Sequence, residues 1–264
     1  MEAIQQVLTI AGSDSGGGAG IQADLKTMTV LGVYGASVIT AVTAQNTLGV
    51  QDFEALSANF VTKQLESVCS DLNFKAVKTG MLANSEIIKT LVAGLNKWEL
   101  PNLVVDPVMV ATSGDLLLAK EAITTLREEL IPLAKLITPN LNEAKILLAK
   151  DLAAELSLEE LAKELYSLGA EYVLVKGGHQ KQSLARDVLY DGKNLLEFKV
   201  KRIETENTHG TGCTLSAAIA SYLAKGLRIE AAVKKSKSFV TEAIKAHCKV
   251  GQGKNPINHL HSQN

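Results

Sequence analysis

The sequence predicts an α/β protein of three layers, in which helices cover both faces of a mostly parallel central sheet. Short apolar segments alternate along the chain with longer segments of helical periodicity, an order that is typical of βαβ units. This order changes near residues 184–200, where two strand-like segments flank Asp191-Gly192, a pair that favours a hairpin. We therefore expect antiparallel strands at one edge of the sheet. No low-complexity linker or internal repeat divides the 264 residues, so one domain, 1–264, is predicted.

The predicted strands are runs of aliphatic and β-branched residues that end at glycine or polar residues. They are expected at 7–11, 36–44, 50–56, 76–79, 103–105, 136–137, 172–175, 184–190 and 195–200. Helices are expected at 21–31, 59–72, 85–98, 120–130 and 158–168, after Gly212, and along the last long segment that contains Val233 and Ile244. Ser157 and Glu160 form a capping-box signal before the helix at 158.

Composition excludes several classes of partner. The chain has 27 basic and 28 acidic residues, a formal net charge of -1, and shows no basic patch for nucleic acid or an anionic membrane. Hydrophobic residues make up 46% of the chain, which is enough for a core without disulfides. A small-molecule partner is favoured.

The cysteines and the N-terminal sequence predict a cytoplasmic protein. Cys69, Cys213 and Cys248 are odd in number and far apart, which fits neither a disulfide framework nor a metal cluster. The N-terminal sequence lacks the basic residues and the apolar segment of a signal peptide. No apolar run approaches the ~18 residues of a membrane span.

Unusual residues follow the predicted strands. Ligands of open parallel sheets bind beyond the carboxyl ends of the strands, so residues at these ends are candidates for a site. They are Asp14 with its glycine loop, Gln45, Met81, Asp106, Asn140, Lys176 and the turn 210–213.

The turn at 210–213 is the strongest candidate for an anion site. Gly210, Thr211 and Gly212 precede a small, apolar helix, whose first N–H groups have no helical acceptor. Cys213 lies beside this position, and a helix N-terminus tends to lower the pKa of a thiol. The alternative is a glycine-rich turn that only starts a core helix.

The glycine loop 12–20 does not match a dinucleotide-binding fingerprint. Gly16, Gly18 and Gly20 have the wrong spacing, and the next strand ends at Gln45 and Asn46 rather than at an acidic residue. An oxidoreductase of this kind is therefore disfavoured.

Polar residues at neighbouring strand ends indicate a nucleoside triphosphate and Mg²⁺. Asp106, Asn140 and Glu143 supply oxygens that Mg²⁺ accepts directly or through water. The alternatives are that Asp106 only ends a strand and that Asn142 caps a helix with Glu143 in its first turn. Lys176 ends a buried strand, a position at which an apolar residue is expected. A role as a cation that reaches phosphate explains this lysine better than packing does.

Two further residues stay open. Lys237 lies on the apolar stripe of the last helix with Val233, Val240 and Ile244, so it either reaches the site or runs along the surface. His209 has no partner at metal-ligand spacing, and we expect a structural role in the loop.

Together these motifs resemble the ribokinase superfamily, and within it the hydroxymethylpyrimidine and phosphomethylpyrimidine kinases of thiamine biosynthesis. The resemblance covers about residues 7–245 and rests on A-G-S-D-S-G-G-G-A-G-I-Q-A-D, K-T-G-M, D-P-V-M, T-P-N-x-N-E, V-K-G-G and N-T-H-G-T-G-C-T-L-S-A-A-I-A. It implies a ribokinase-like fold, a homodimer, and two ATP-dependent phosphorylations. The first converts 4-amino-5-hydroxymethyl-2-methylpyrimidine to its monophosphate, and the second converts this product to the diphosphate.

The resemblance also implies roles for individual residues. The phosphoryl group would be held by Gly210, Thr211, Gly212 and Cys213 with Lys176 and Lys237. ATP would be bound by Asp106, Asn140, Glu143, Lys176 and Thr211, with Mg²⁺ at Asp106 and Glu143 through water. The pyrimidine would be bound by Gly12, Ala19, Asp24, Gln45, Met81 and Val108.

Cys213 occupies the position at which most sugar and nucleoside kinases of the superfamily have a catalytic aspartate. The identity of the base is therefore open, and a thiol that accepts the proton late is one possibility. Two other functions stay open: a pyridoxal kinase, and a non-catalytic vitamin-binding protein on the same scaffold. The composition of 108–118 also allows a mobile lid.

Overall fold

The computed structural model describes residues 4–109, 119–178, 183–246 and 248–261. Within these ranges nine strands form one sheet, in the order β3-β2-β1-β4-β5-β6-β7-β8-β9. The strands are β1 Gln6–Ser13, β2 Tyr34–Asn46, β3 Gly49–Ala55, β4 Phe74–Thr79, β5 Leu103–Val105, β6 Leu136–Ile137, β7 Tyr172–Lys176, β8 Leu184–Tyr190 and β9 Leu195–Lys201.

Eight α-helices connect or follow these strands in the described parts of the chain. They are α1 Gly20–Val30, α2 Ala58–Cys69, α3 Ser85–Lys97, α4 Lys120–Thr125, α5 Leu141–Leu147, α6 Leu158–Tyr166, α7 Thr211–Ala224 and α8 Ile229–Lys245. The predicted helix 120–130 is α4 followed by a π-helical turn, Leu126–Leu130. The possible lid at 108–118 lies, from residue 110 onward, outside the described residues.

The centre of the sheet is parallel, as predicted, and its two edges are antiparallel. Strands β2, β1, β4, β5, β6 and β7 pair in parallel. The predicted hairpin at Asp191-Gly192 is β8–β9, which joins the sheet through an antiparallel pair of β7 and β8. Sequence analysis missed a second antiparallel pair, β2–β3. The chain reverses there at Thr47-Leu48, which has no Asn-Gly or Asp-Gly signal.

Two apolar cores lie on opposite faces of the sheet. Leu8 and Ile10 of β1 point into the core that contains residues of α2, α3 and α6, whereas Val7 points into the core formed with α1, α7 and α8. This alternation follows from the two-residue period of a strand. Because β5 and β6 are buried along their whole length, polar residues such as Asp106 and Thr138 follow these strands rather than lie within them.

Local capping signals set the starts of two helices. The predicted capping box of Ser157 and Glu160 begins α6. A second capping box begins α5, where Asn140 accepts hydrogen bonds from the backbone and the carboxylate of Glu143 accepts one from the N–H of Asn140. The alternative in which Asn142 caps this helix was wrong, because the cap is Asn140, two residues earlier. No helix within the described ranges is long and apolar enough to span a bilayer.

Candidate active site

A cavity of about 1160 Å³ opens at the carboxyl ends of the parallel strands. It is bordered by the ends of β1, β2, β4, β5 and β7, by the N-terminus of α7 and by part of α8. Of the predicted site residues, the following border it: Gly12, Ala19, Gln45, Met81, Asp106, Val108, Asn140, Glu143, Lys176, Gly210, Thr211, Gly212, Cys213 and Lys237. The fold thus brings together residues that are up to about two hundred positions apart in the sequence.

The turn before α7 requires glycine. Gly210 has φ 80°, and a Cβ at this position would lie 1.8 Å from the carbonyl oxygen of Gly18. No side chain among the described residues caps the N-terminus of α7. The N–H of Thr211 donates to the carbonyl of Thr208, so the N–H groups of Gly212 and Cys213 are the ones that remain available to an anion. A Cβ at Gly212 would lie 3.5 Å from Nζ of Lys176 and 3.6 Å from Oδ2 of Asp106. The turn therefore faces the charged residues of the cavity.

Asp106 and Lys176 form an ion pair beside this turn. Nζ of Lys176 lies 2.9 Å from Oδ1 of Asp106, and the hydroxyls of Thr138 and Ser216 donate to the same carboxylate at 3.2 Å. Burial acts to raise the pKa of Asp106, but the ammonium groups of Lys176 and then Lys78, with these hydrogen bonds, hold it below its ordinary value. Asp106 is therefore ionised at neutral pH.

Glu143 lies at the same side of the cavity. The N–H of Asn140 donates to its Oε2 across 2.8 Å. Burial raises the pKa of Glu143 to about 7; the charge of Lys176 opposes the shift, and that of Asp106 adds to it. The carboxylate oxygens of Asp106 and Glu143 therefore border the same cavity. Oxygen ligands of this kind are the ones that Mg²⁺ prefers.

Lys237 is buried and paired, so the alternative that it runs along the surface was wrong. Its ammonium lies 2.5 Å from Oδ2 of Asp187, and its side chain is 10% exposed. The other oxygen of Asp187 accepts the N–H of Gly177. Asp187 was missed by sequence analysis, although an aspartate inside the predicted strand 184–190 was a usable signal. In the sheet it lies opposite Lys176.

The thiol of Cys213 is less acidic than expected. Burial raises its pKa to about 11; Lys78 lowers it, whereas the carboxylates of Asp24 and Asp106 raise it further. The expectation of a lowered pKa was wrong because it considered only the helix N-terminus, whereas desolvation and two nearby carboxylates outweigh the favourable charge.

The expected pyrimidine residues border the same cavity, with one exception. Gln45 is half-buried, and its Oε1 accepts from the hydroxyl of Thr43 at 3.1 Å. Met81 packs so closely on Gly12 that a Cβ there would lie 3.0 Å from the sulfur. These residues provide both polar groups and an apolar surface for a flat ring.

Asp24 is the exception, because it does not border the cavity. Its side chain and that of Lys78 are fully buried, with 2.8 Å between Oδ2 and Nζ, and Thr9 donates to the same oxygen. Lys78 separates the carboxylate of Asp24 from the site, so direct contact of Asp24 with a ligand does not fit the structure. Lys78 itself borders the cavity. Sequence analysis missed it, although a lysine in a buried strand was a signal.

Comparison with known proteins gives one family. A model of the family described as phosphomethylpyrimidine kinase matches residues 14–258. The hydroxymethylpyrimidine/phosphomethylpyrimidine kinase of Rhizobium meliloti is 52% identical over 257 residues, which are 96% of each chain.

Solved structures show the same fold. The ADP complex of Bacillus subtilis pyridoxal kinase matches with a TM-score of 0.91 at 39% identity and covers 99% of both chains. The phosphomethylpyrimidine kinase of Clostridium difficile matches with a TM-score of 0.79 at 45% identity over 91% of this chain and 99% of that one. The ribokinase-like fold predicted from the motifs is confirmed, and the chain belongs to the phosphomethylpyrimidine kinase family.

Proposed function

We propose that this protein transfers the terminal phosphoryl group of ATP first to the hydroxymethyl group of 4-amino-5-hydroxymethyl-2-methylpyrimidine and then to the resulting monophosphate. The observation that carries the proposal is the shared cavity. The uncapped N-terminus of α7, Lys176, Asp106, Gln45 and Met81 all border it. A flat polar ring and a triphosphate therefore have complementary surfaces within one space.

In the first reaction the hydroxymethyl oxygen attacks the γ-phosphorus. The new O–P bond forms as the bond from this phosphorus to the β,γ-bridging oxygen breaks, and ADP leaves. The N–H groups of Gly212 and Cys213 stabilise negative charge on the transferring phosphoryl group in the transition state. They can do so because they are fixed at the start of α7 before the reaction begins. The ammonium of Lys176 adds positive charge at the same place.

Cys213 is proposed to accept the hydroxyl proton of this step in its thiolate form and to release it afterwards to solvent. Because burial raises the pKa of Cys213 to about 11, the thiolate is a minor form at pH 7, and it accepts the proton late rather than initiating the attack. Phosphoryl transfer through a loose transition state depends more on positioning and charge than on an early base. In the second reaction the attacking oxygen belongs to a phosphate and needs no base.

Asp106 and Glu143 are proposed to hold Mg²⁺ through water. Both carboxylates border the cavity, and Oδ1 of Asp106 already bonds Lys176, which leaves room for outer-sphere contact. When bound, the ion neutralises charge on the β- and γ-phosphates. Asn140 and Thr211 border the same region and are proposed to contact ATP.

The test is a comparison of ATP consumption with three acceptors: the aminopyrimidine, its monophosphate and pyridoxal. We expect turnover with the first two. A second candidate function, phosphorylation of pyridoxal, is favoured by the 39% identity to a pyridoxal kinase over 99% of both chains. Turnover with pyridoxal alone would replace the first proposal with the second. Absence of turnover with all three would favour a vitamin-binding protein.

We further propose that the chain is a single kinase domain that forms a homodimer in the cytoplasm. Sedimentation equilibrium tests the oligomeric state, since a monomer and a dimer of a 28.1 kDa chain differ twofold in mass.

A further inference from the structure

His209 connects two parts of the cavity wall that are distant in sequence. Its Nε2 lies 2.9 Å from Oδ2 of Asp14, and both side chains are largely buried, at 12% and 3% exposure. Burial acts to raise the pKa of Asp14, but the hydrogen bond from His209 and those from the loop backbone hold it below its ordinary value. An ionised carboxylate only accepts, so Nε2 of His209 carries the proton and donates it.

Asp14 is the organising residue of the glycine loop 14–20. Its Oδ1 accepts the N–H of Gly16 at 2.8 Å, and its Oδ2 accepts those of Gly18 at 3.0 Å and Ala19 at 2.8 Å. One buried carboxylate therefore fixes three amides of the loop and the imidazole of His209. Because His209 and the three amides bond the same carboxylate, a shift of His209 would displace Asp14 and disturb all of these hydrogen bonds.

The loop and the turn before α7 are in close contact around His209. A Cβ at Gly18 would lie 2.3 Å from Cδ2 of His209, and a Cβ at Gly210 would lie 1.8 Å from the carbonyl oxygen of Gly18. This close approach requires glycine at both positions, because a Cβ at Gly18 or Gly210 would overlap these atoms. The loop borders the cavity through Asp14, Ala19 and Gly20, and the turn borders it through His209 and Gly210.

The backbone of His209 is held from the other side by the C-terminal segment. Its N–H donates to the carbonyl of Asn255, and its carbonyl accepts the N–H of Ile257. Between them Pro256 lies against Gly18, so closely that a Cβ on this glycine would be 3.1 Å from the Cβ of the proline. Because the backbone of His209 is anchored in this way, its imidazole is held in position to bond Asp14 of the loop.

We propose that His209 is a positioning residue for phosphoryl transfer. Through Asp14 it holds the glycine loop on the turn before α7, so that the surface for the pyrimidine and the N–H groups for the phosphoryl group form as one unit. This inference rests on the proposed function. It adds a residue that acts through Asp14 and the glycine loop and so sets the distance between the two binding surfaces.

The test compares His209→Leu with His209→Gln. Leucine removes the donor, whereas the amide nitrogen of glutamine reaches about the position of Nε2. With leucine we expect a higher KM for the pyrimidine and a loss of about 100-fold in kcat/KM, the size that a misplacement near 1 Å produces. The KM for ATP stays close to that of the parent protein, and glutamine restores most of the activity.

Two controls separate positioning from general destabilisation. Asn84→Ala removes the side-chain cap of α3 at a residue that does not border the cavity, so it lowers stability without the kinetic change. Should His209→Leu fail to fold, Asp14→Asn provides the second variant, because an amide group cannot accept the same four donors. Equal losses with leucine and glutamine, or an equal rise of both KM values, would overturn the proposal.

Hydrogen exchange gives a readout that does not depend on catalysis. We expect faster exchange of the amides of Gly16, Gly18 and Ala19 in His209→Leu and parent-like rates in His209→Gln. Unchanged rates in the leucine variant would refute the role of His209 even in an active enzyme. Faster exchange in a protein that phosphorylates none of the three acceptors would uphold the contact and reject the kinase function on which the inference rests.

Discussion

The ammonium of Lys176 lies 2.9 Å from Oδ1 of Asp106, although the two residues end strands that are separated in the sheet by β6. Their side chains are 15% and 2% exposed, so neither charge is well solvated alone. Each charge lowers the cost of burying the other. The pair also keeps one cation and one anion at the place where a phosphoryl group and its metal ion are proposed to bind.

Lys176→Met is expected to lower both activity and stability. The substitution removes the cation proposed to face phosphate and leaves Asp106 buried without its partner. The free energy of unfolding should fall by about 3 kcal/mol, as measured by urea denaturation. The matched control is Lys97→Met in the surface pair with Glu66, whose side chains are 58% and 49% exposed; its effect should stay below about 1 kcal/mol. Equal effects in the two variants would contradict the assignment.

Gly212→Asp is expected to abolish both phosphorylations. A carboxylate at this position would face Asp106 and occupy the space for the phosphoryl group, so we expect a loss of at least about 1000-fold in kcat. Gly212→Ala is the control, because its Cβ makes only ordinary contacts, at 3.5 and 3.6 Å. Steady-state kinetics with both acceptors measures the two variants. An active aspartate variant would reject the anion site at α7.

Cys213→Ala is expected to slow the first phosphorylation more than the second. The first step releases a hydroxyl proton, whereas the second has an anionic nucleophile. We expect a loss of about 100-fold in the first step, at the low end of general acid-base effects because only the thiolate accepts a proton and it is a minor form at neutral pH. Separate rates for the aminopyrimidine and for its monophosphate provide the measurement. Equal losses would show that Cys213 does not act as the base.

Stability is expected to fall in mild acid because of His259. Burial, with smaller effects of Lys26 and His261, lowers the pKa of His259 from 6.5 to about 4. The unfolded state therefore binds the proton more readily, and the contribution of His259 is complete above pH 6.5 and is lost as the pH falls toward 4. A shift of this size corresponds to about 3 kcal/mol.

The measurement is urea denaturation across this pH range for the parent protein and for His259→Gln. Glutamine does not titrate and retains a polar group for the hydroxyl of Thr214, which lies 2.9 Å from Nε2 of His259. The parent should therefore show a steeper pH dependence than the variant. Identical slopes would contradict the lowered pKa.

Much of the site was predictable because its signals are local. The Asp191-Gly192 turn specifies the β8–β9 hairpin through its own backbone preferences, and Ser157 with Glu160 specifies the start of α6. The apolar stripe on α8 placed Lys237 beside Val233 and Val240 but left open whether its side chain reaches the site or the surface. Polar residues at the ends of apolar strands had to meet at one edge of a parallel sheet, whatever their distances in the chain.

The sequence by itself determined the family and the ribokinase-like fold, and all the site residues it predicted except Asp24 border the cavity. These results follow from motif order and from short-range periodicity. The tertiary structure alone decided which groups are paired and which are ionised. Asp187 holds Lys237, Lys78 separates Asp24 from the cavity, and His209 holds Asp14. The acidity of Cys213 likewise depends on burial and on carboxylates from other elements. These properties arise from desolvation and from charges that folding brings together. Residue spacing within one segment of the sequence cannot predict them.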